Sequence, residues 1–238
     1  MTKQHAYRWE RFSKNFKKNK YTYMKKIILV GAGYNYSEIN PIVENLKNNE
    51  RYKIVGILDD NKKLYKKNYK GIPFYVGLES APKFKNHSFV FAISSYKYSN
   101  IREKIFKKMK VNKKKFPNII HNSVVLEEDV KMGYGNIIYP YSVVCSKTKI
   151  NDFCVLTYST ILAHKVELNS YSVIGSRSTI LNNTKVGKSV FLGASVTIGE
   201  NVKIGNYSKI IMGSVVTNNV KNNKVVIGNP AKIYEDRF

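Results

Sequence analysis

The fold class that this sequence predicts is α/β: an N-terminal domain of βαβ, half-Rossmann-like type, followed by a left-handed parallel β-helix of hexapeptide repeats. Two observations carry it. Every sixth residue from Ile120 is aliphatic or Met: Ile120, Leu126, Met132, Ile138, Val144, Ile150, Leu156, Leu162, Leu168, Ile174, Ile180, Val186, Leu192, Ile198, Ile204, Ile210 and Val216. These residue types make up roughly a quarter of the chain, so chance would give such a run on the order of once in ten billion trials. Upstream, between about residues 25 and 115, apolar strand-like runs alternate with helical stretches.

Taken in order, residues 1–23 carry seven Lys or Arg against one Glu and little apolar periodicity, which reads as a poorly ordered basic arm. Met24 stands immediately before the first strand and is a candidate natural start, the upstream residues being either an extension or a contact for an anionic surface. Residues 24–117 then read as the βαβ domain. The run Lys26 to Val30 is a buried strand ending in Gly31-Ala32-Gly33. A helix follows, with Pro41 in its first turn and Ile42, Val43 and Leu46 on its apolar face. Strands are expected at Tyr52 to Leu58, Ile72 to Val76 and Phe89 to Ile93, and an amphipathic helix at Asn100 to Met109 with Ile101 and Ile105 on one face. About ninety residues are too few for a complete two-half dinucleotide fold.

Residues 118–220 form the β-helix. Four positions after most of the aliphatic residues stands a small or β-branched one: Cys154, Thr160, Val166, Ser172, Ser178, Thr184, Val190, Val196, Val202, Ser208 and Ser214. Both periodicities follow if each hexapeptide is one flat side of a triangular coil, with the aliphatic residue on the axis and the small residue in the cramped corner. Coils stack as parallel strands about 4.8 Å apart. Gly175, Gly187, Gly193, Gly199 and Gly205 each follow an aliphatic residue, where a tight backbone turn is expected. The repeat ends at Asn218-Asn219 and Gly228-Asn229-Pro230, leaving residues 221–238 as a C-terminal tail.

Composition narrows the function. A formal charge of +25 over 238 residues points to anionic partners, but the lysines run nearly the whole length of the chain and no nucleic-acid motif accompanies them, so no specific nucleic-acid partner is expected. Cys145 and Cys154, the only cysteines, are too few for a disulfide framework or a thiolate zinc site; a reducing cytoplasm is the expected compartment. No apolar run approaches the roughly 20 residues of a membrane span, and the N-terminus lacks the apolar core of a secretory signal.

The segments ILVGAG (Ile28 to Gly33), ILDD (Ile57 to Asp60), FAIS with the downstream Arg102, the hexapeptide run and GNPAK (Gly228 to Lys232) together resemble the sugar-nucleotide acetyltransferases of the NeuD and PglD type, over both domains in the same order. The resemblance implies a homotrimer that transfers an acyl group, expected to be acetyl from acetyl-CoA, to the amine or hydroxyl of a nucleotide-linked or related sugar in surface-glycan biosynthesis, without a metal. It implies that Gly33, Tyr34, Asn35, Asp59, Asp60, Ile93 and Ser94 contact the nucleotide sugar. It further implies that CoA lies along Asn182, Ala194, Met212, Lys221 and Lys232. The late coils and tail also carry Lys203, Lys209 and Lys224, a basic environment suited to the phosphates of CoA.

Attack of a sugar amine or hydroxyl on a thioester needs a base, and neutral imidazole is well matched to that task near pH 7. Of the four histidines, His5 lies in the basic arm, His87 in a loop and His121 in the turn leading into the β-helix. Only His164 projects from the middle of the prism, and it matches the catalytic histidine of the family. Asn182, one coil later, offers its backbone N–H where the family has a glycine amide stabilising the oxyanion. There are departures: Lys165 replaces the Glu or Asp that follows the family's histidine, Val173 stands where some members have a second histidine, Thr157 where an Asn is usual, and Tyr34, Asn35, Tyr36 and Ser94 differ on the nucleotide side. A non-catalytic trimeric scaffold or sugar-nucleotide binder is therefore the alternative. A solenoid carbonic anhydrase would need three converging histidines, and a nicotinamide dehydrogenase a full-sized first domain with a third glycine.

Overall fold

The computed structural model describes residues 24–31, 52–64, 67–69, 71–93 and 100–234. The basic arm and the helix expected around Pro41, Ile42, Val43 and Leu46 lie outside the described residues.

The N-terminal domain is a five-stranded sheet of β1 (Lys25–Val30), β2 (Tyr52–Asp59), β3 (Asn68–Tyr69), β4 (Ile72–Val76) and β5 (Ser88–Phe91), in the order β3-β4-β2-β1-β5. β1, β2, β4 and β5 run parallel, and the short β3 pairs antiparallel to β4. Strand β1, between β2 and β5, is apolar from Ile27 to Val30 because it is covered on both faces. Ile27 and Leu29 face one way, into a cluster shared with Ile119, Ile137, Val155 and Val173 of the β-helix. Ile28 and Val30 face the other way, toward Phe89, Met109 and Phe116. Helix α1 (Ile101–Met109) closes this second layer through Ile105, Phe106 and Met109. It stops at Lys110, which takes the left-handed conformation (φ 51°) common just past a helix end.

From Ile119 onward the chain winds as a triangular prism of two-residue strands, the left-handed parallel β-helix that the six-residue period predicts. Successive coils pair eighteen residues apart, as Val143 with Ile161 and Val144 with Leu162. The axial residues and the corner residues fuse into one apolar core. Most buried corner hydroxyls are satisfied, as a low-dielectric corner favours: Thr148, Ser172, Ser178 and Thr184 donate to the carbonyls of Ala163, Gly187, Gly193 and Gly199 at 2.8–3.0 Å, and Ser189 is an exception.

The corner glycines have a different cause from the one expected. The tight turn itself falls three positions after most axial residues, usually on a non-glycine residue in the left-handed region such as Lys165 (φ 58°), Asn183 (φ 58°) or Asn201 (φ 60°), and on a glycine only at Gly135 and Gly213. Gly175, Gly187, Gly193, Gly199 and Gly205 do not have positive φ; most of them are glycines because the next coil passes too close. A Cβ on Gly193 would stand 2.5 Å from the Met212 backbone nitrogen, and one on Gly175 would stand 2.4 Å from the Gly193 carbonyl carbon. The six-residue period also ends before the sheet does. Val225–Gly228 adds one more parallel strand, pairing Ile210 with Val226, and Ala231–Ile233 returns antiparallel to it.

The three faces differ chemically. The outward residues Ile119, Ile137, Val155 and Val173 of one face are buried under the N-terminal sheet. A second face presents Lys131, Lys149, Glu167, Lys185 and Lys203. The third presents Val125, Val143, Ile161, Thr179, Thr197 and Val215, of which Val125 is 52% and Ile161 39% exposed.

Candidate functional site

His164 sits on the prism edge between the uncovered apolar face and the charged face, in the corner that joins strands Ile161–Leu162 and Glu167–Leu168. The axial Leu162 is fully buried, and the corner turns the residue two positions later outward, so the imidazole is half exposed. It borders a groove of about 380 Å³ whose other lining residues are Ser146, Lys147, Lys165, Asn182 and Asn183.

Successive coils above and below supply the surroundings of the ring. Ser146, one coil below, places Oγ 3.1 Å from His164 Nδ1. The Ser146 N–H donates to Glu127 Oε2 at 2.8 Å, and the same oxygen is 3.8 Å from Nδ1. Asn182, one coil above, accepts the His164 N–H through Oδ1 at 3.0 Å and donates through Nδ2 to Glu200 Oε1 at 2.8 Å. Its side chain is therefore tied to the coils on either side. The Asn182 N–H has no hydrogen-bond partner among the described residues, and it is one of the few unspent backbone donors beside the imidazole. Lys165 turns the corner and donates its N–H to the Ser146 carbonyl at 3.2 Å.

Burial, and then Glu127, push the Cys145 thiol up, so it stays protonated at neutral pH. Glu127, Cys145 and His164 also bring a carboxylate oxygen, a sulfur and an imidazole nitrogen within 4.8 Å of one another, a donor set of the kind that holds zinc. Ser146 was foreseeable, since it stands in the same eighteen-residue register as His164. Glu127 was not, because it occupies the register of Cys145, one column over.

The other departures have structural roles. Val173 is buried against the N-terminal sheet. Thr157 donates to the Ile174 carbonyl at 2.9 Å and accepts from Ser176. Ala194 and Met212 are exposed but lie on a different edge from His164 and Asn182, in the corners that follow Phe191–Leu192 and Lys209–Ile210. Lys221 and Lys232 are exposed at the end of the prism. One chain thus brings His164 and Asn182 together and leaves Ala194, Met212, Lys221 and Lys232 apart from them.

On the N-terminal domain, the ends of β1, β2 and β5 converge at the carboxyl edge of the parallel strands, where ligands bind in open α/β sheets. Gly31 (φ 99°) leaves no room for a Cβ, which would stand 2.3 Å from Ile93 Cγ1. Asp59 accepts the Asn61 N–H at 2.8 Å. Asp60 accepts the Leu78 N–H at 2.8 Å and pairs with Lys108 at 2.7 Å. Burial alone would raise the Asp60 carboxyl, but Lys108 and the Leu78 N–H outweigh it and hold it below the usual range. Gly33, Tyr34, Asn35 and Ser94 lie outside the described residues.

Arg102 joins the two domains. It is buried, donates to the carbonyls of Phe153 and Tyr171, and burial pushes its guanidinium down to about 10, still cationic at neutral pH. Among the described residues no helix is long and apolar enough to cross a membrane.

Comparison with known proteins agrees with this two-part architecture. Residues 26–109 match the PglD N-terminal domain, and residues 183–218 match the bacterial transferase hexapeptide (six repeats). Among solved structures, a variant of perosamine N-acetyltransferase from Caulobacter crescentus, in complex with CoA and GDP-perosamine, superposes with a TM-score of 0.77 at 20% identity, over 90% of this chain and 99% of that one. The acetyltransferase domain of PglB from Neisseria gonorrhoeae, in complex with acetyl coenzyme A, gives 0.74 at 17% identity, over 89% and 100%. WeeI from Acinetobacter baumannii gives 0.73 at 23% identity, over 89% and 100%. At these identities the likeness is one of fold.

Proposed function

Starting from a chain that joins a PglD-type N-terminal domain to transferase hexapeptide repeats, we propose that it is an acyl-CoA-dependent acetyltransferase acting on the amine or hydroxyl of a nucleotide-linked sugar. The observation that carries the reading is the pairing of a half-exposed imidazole, contacted at Nδ1 by Ser146, with an unspent backbone N–H one coil above it, both beside a groove. In the reaction the sugar nitrogen or oxygen attacks the thioester carbon and gives its proton to His164 Nε2. The Asn182 N–H holds the oxyanion that forms. Collapse then breaks the C–S bond, and the imidazolium returns the proton to the departing thiolate.

The structures of similar fold contain CoA, acetyl coenzyme A or GDP-perosamine, which favours an acyl-CoA donor and a nucleotide-sugar acceptor here. Asp59 and Ile93 at the carboxyl edge of the N-terminal sheet, with Gly33, Tyr34, Asn35 and Ser94 in the adjoining segments, are the proposed acceptor contacts. Asp60 is already committed to Leu78 and Lys108, so its contribution is to shape that edge.

The proposed assembly is a homotrimer packed through the uncovered apolar face. That face is bordered on one side by the His164 and Asn182 edge and on the other by the Ala194 and Met212 edge. A neighbouring copy would therefore bring the second edge against the first, completing a CoA groove that one chain leaves divided.

Isothermal titration with CoA at low and high salt, followed by a panel of UDP-, CMP-, GDP- and dTDP-sugars, tests the reading. CoA binding that weakens with salt is expected, since its phosphates would meet lysines. Binding of a sugar nucleotide without any CoA binding would favour the scaffold alternative.

A further inference from the structure

We infer that Glu127 and Ser146 are the positioning residues of His164, together replacing the acid that Lys165 displaced. This rests on the general-base reading above. A base acting through Nε2 must carry its proton on Nδ1, so Nδ1 needs an acceptor. Lys165 cannot be one, because an ammonium group only donates.

The coils below supply what the neighbouring residue does not. Ser146 Oγ lies 3.1 Å from Nδ1, within reach of an Nδ1–H donor. Glu127, a further coil down, is anchored by the Ser146 N–H at 2.8 Å, which holds one carboxylate oxygen 3.8 Å from the same nitrogen. A carboxylate only accepts, so the Glu127 oxygen 3.8 Å from Nδ1 favours the tautomer that carries its proton there. The remaining charged groups around the ring are Lys147 and Lys165 in the groove, and Glu200, which is tied to Asn182. Glu127 is thus the acid nearest Nδ1, and an imidazolium formed during proton transfer would face it.

The test uses Glu127→Gln, which keeps an acceptor for the Ser146 N–H, together with Ser146→Ala and the double variant. Histidine-ring nitrogen NMR on the whole protein reads the His164 tautomer without any substrate. The expected result is Nδ1–H in the wild type and a shift toward Nε2–H in each variant. In acetyl transfer, kcat should fall about tenfold or more, with KM for acetyl-CoA nearly unchanged. The double variant should be no slower than the slower single variant, because the two act as one unit on the same ring nitrogen. An Nε2–H tautomer in the wild type, or a Glu127→Gln variant with wild-type tautomer and kcat, overturns the proposal. If His164→Ala abolishes turnover while Glu127→Gln changes nothing, the positioning role falls and the general base stands. If Glu127→Gln moves the tautomer while His164→Ala keeps full turnover, the general base falls instead.

Discussion

Replacing Gly193 by Ala and, separately, Gly199 by Ala asks whether coil-to-coil contact sets the glycine pattern. Neither residue has a positive φ, so both alanines are conformationally permitted. Taken alone, such a change stabilises by about 0.4–1 kcal/mol through the unfolded chain. The two differ in what a Cβ would meet: the Met212 nitrogen at 2.5 Å for Gly193, and the Val216 carbonyl oxygen at 3.2 Å for Gly199. The first is about 0.9 Å short of the 3.4 Å at which ordinary contact begins. Opening the coils by that amount would stretch the bonds from Gly193 N–H to Ile210 (2.8 Å) and from Gly213 N–H to Ala194 (2.9 Å) beyond hydrogen-bonding range. Two lost bonds at about 0.5–1.5 kcal/mol each put Gly193→Ala at about 1–3 kcal/mol destabilising. Gly199→Ala should fall within about 1 kcal/mol of wild type. Urea unfolding at one fixed protomer concentration, read as a midpoint shift at constant m, measures both. Equal midpoints for the two variants would refute the contact argument.

Other consequences are as direct. Arg102→Ala would leave the Phe153 and Tyr171 carbonyls without their buried donor, costing about 2–5 kcal/mol for the two groups; a urea-midpoint change worth under about 1 kcal/mol would contradict the bridging role. Ile161→Arg places a charge in the middle of the uncovered apolar face, and light scattering should show the assembly falling to monomers; an unchanged mass would move the interface elsewhere. Acid stability should decline in two stages. Burial, and for His87 also Lys26 and Lys115, lowers the pKa of His87 and His121 from 6.5, so their contribution is present above 6.5 and is lost as pH falls through their lower folded values. Asp60, lowered from 3.8, contributes above 3.8 and loses that contribution as pH falls through its folded value. Melting temperature followed against pH should show a weaker lower stage and an unchanged upper one in Asp60→Asn, the remainder of the lower stage coming from Glu103, which Lys188 and Lys107 also hold below its usual range.

Much of this fold can be read from spacing alone, because a solenoid repeats one local rule. Leu162, Ile180 and Ile198 are axial for the same reason, and one period finds them all. The alternation of Ile27, Ile28, Leu29 and Val30 does not announce itself, since a strand covered on both faces is apolar throughout. Nor does the final strand Val225–Gly228: it pairs after the sequence has lost its six-residue period, with Ile210 opposite Val226. At the candidate site, periodicity gives His164, Asn182 and Ser146 because all three occupy one column. Glu127 escapes it because its side chain reaches across from the neighbouring column. Ala194 and Met212 were expected beside Asn182, yet a single chain puts them on another edge, a separation that only packing between copies can close.

Whether His164 drives acyl transfer is measured continuously by the release of free CoA thiol from acetyl-CoA. The assay would set wild type against His164→Ala with amino- and hydroxy-sugar nucleotides as acceptors. Wild-type protein should release thiol only when a suitable acceptor is present, and His164→Ala, still folded because the side chain points away from the aliphatic axis, should be slower by about a hundredfold or more. Acceptor-dependent release at the wild-type rate in His164→Ala, or no acceptor-dependent release from the wild type across the whole panel, would contradict this role of His164.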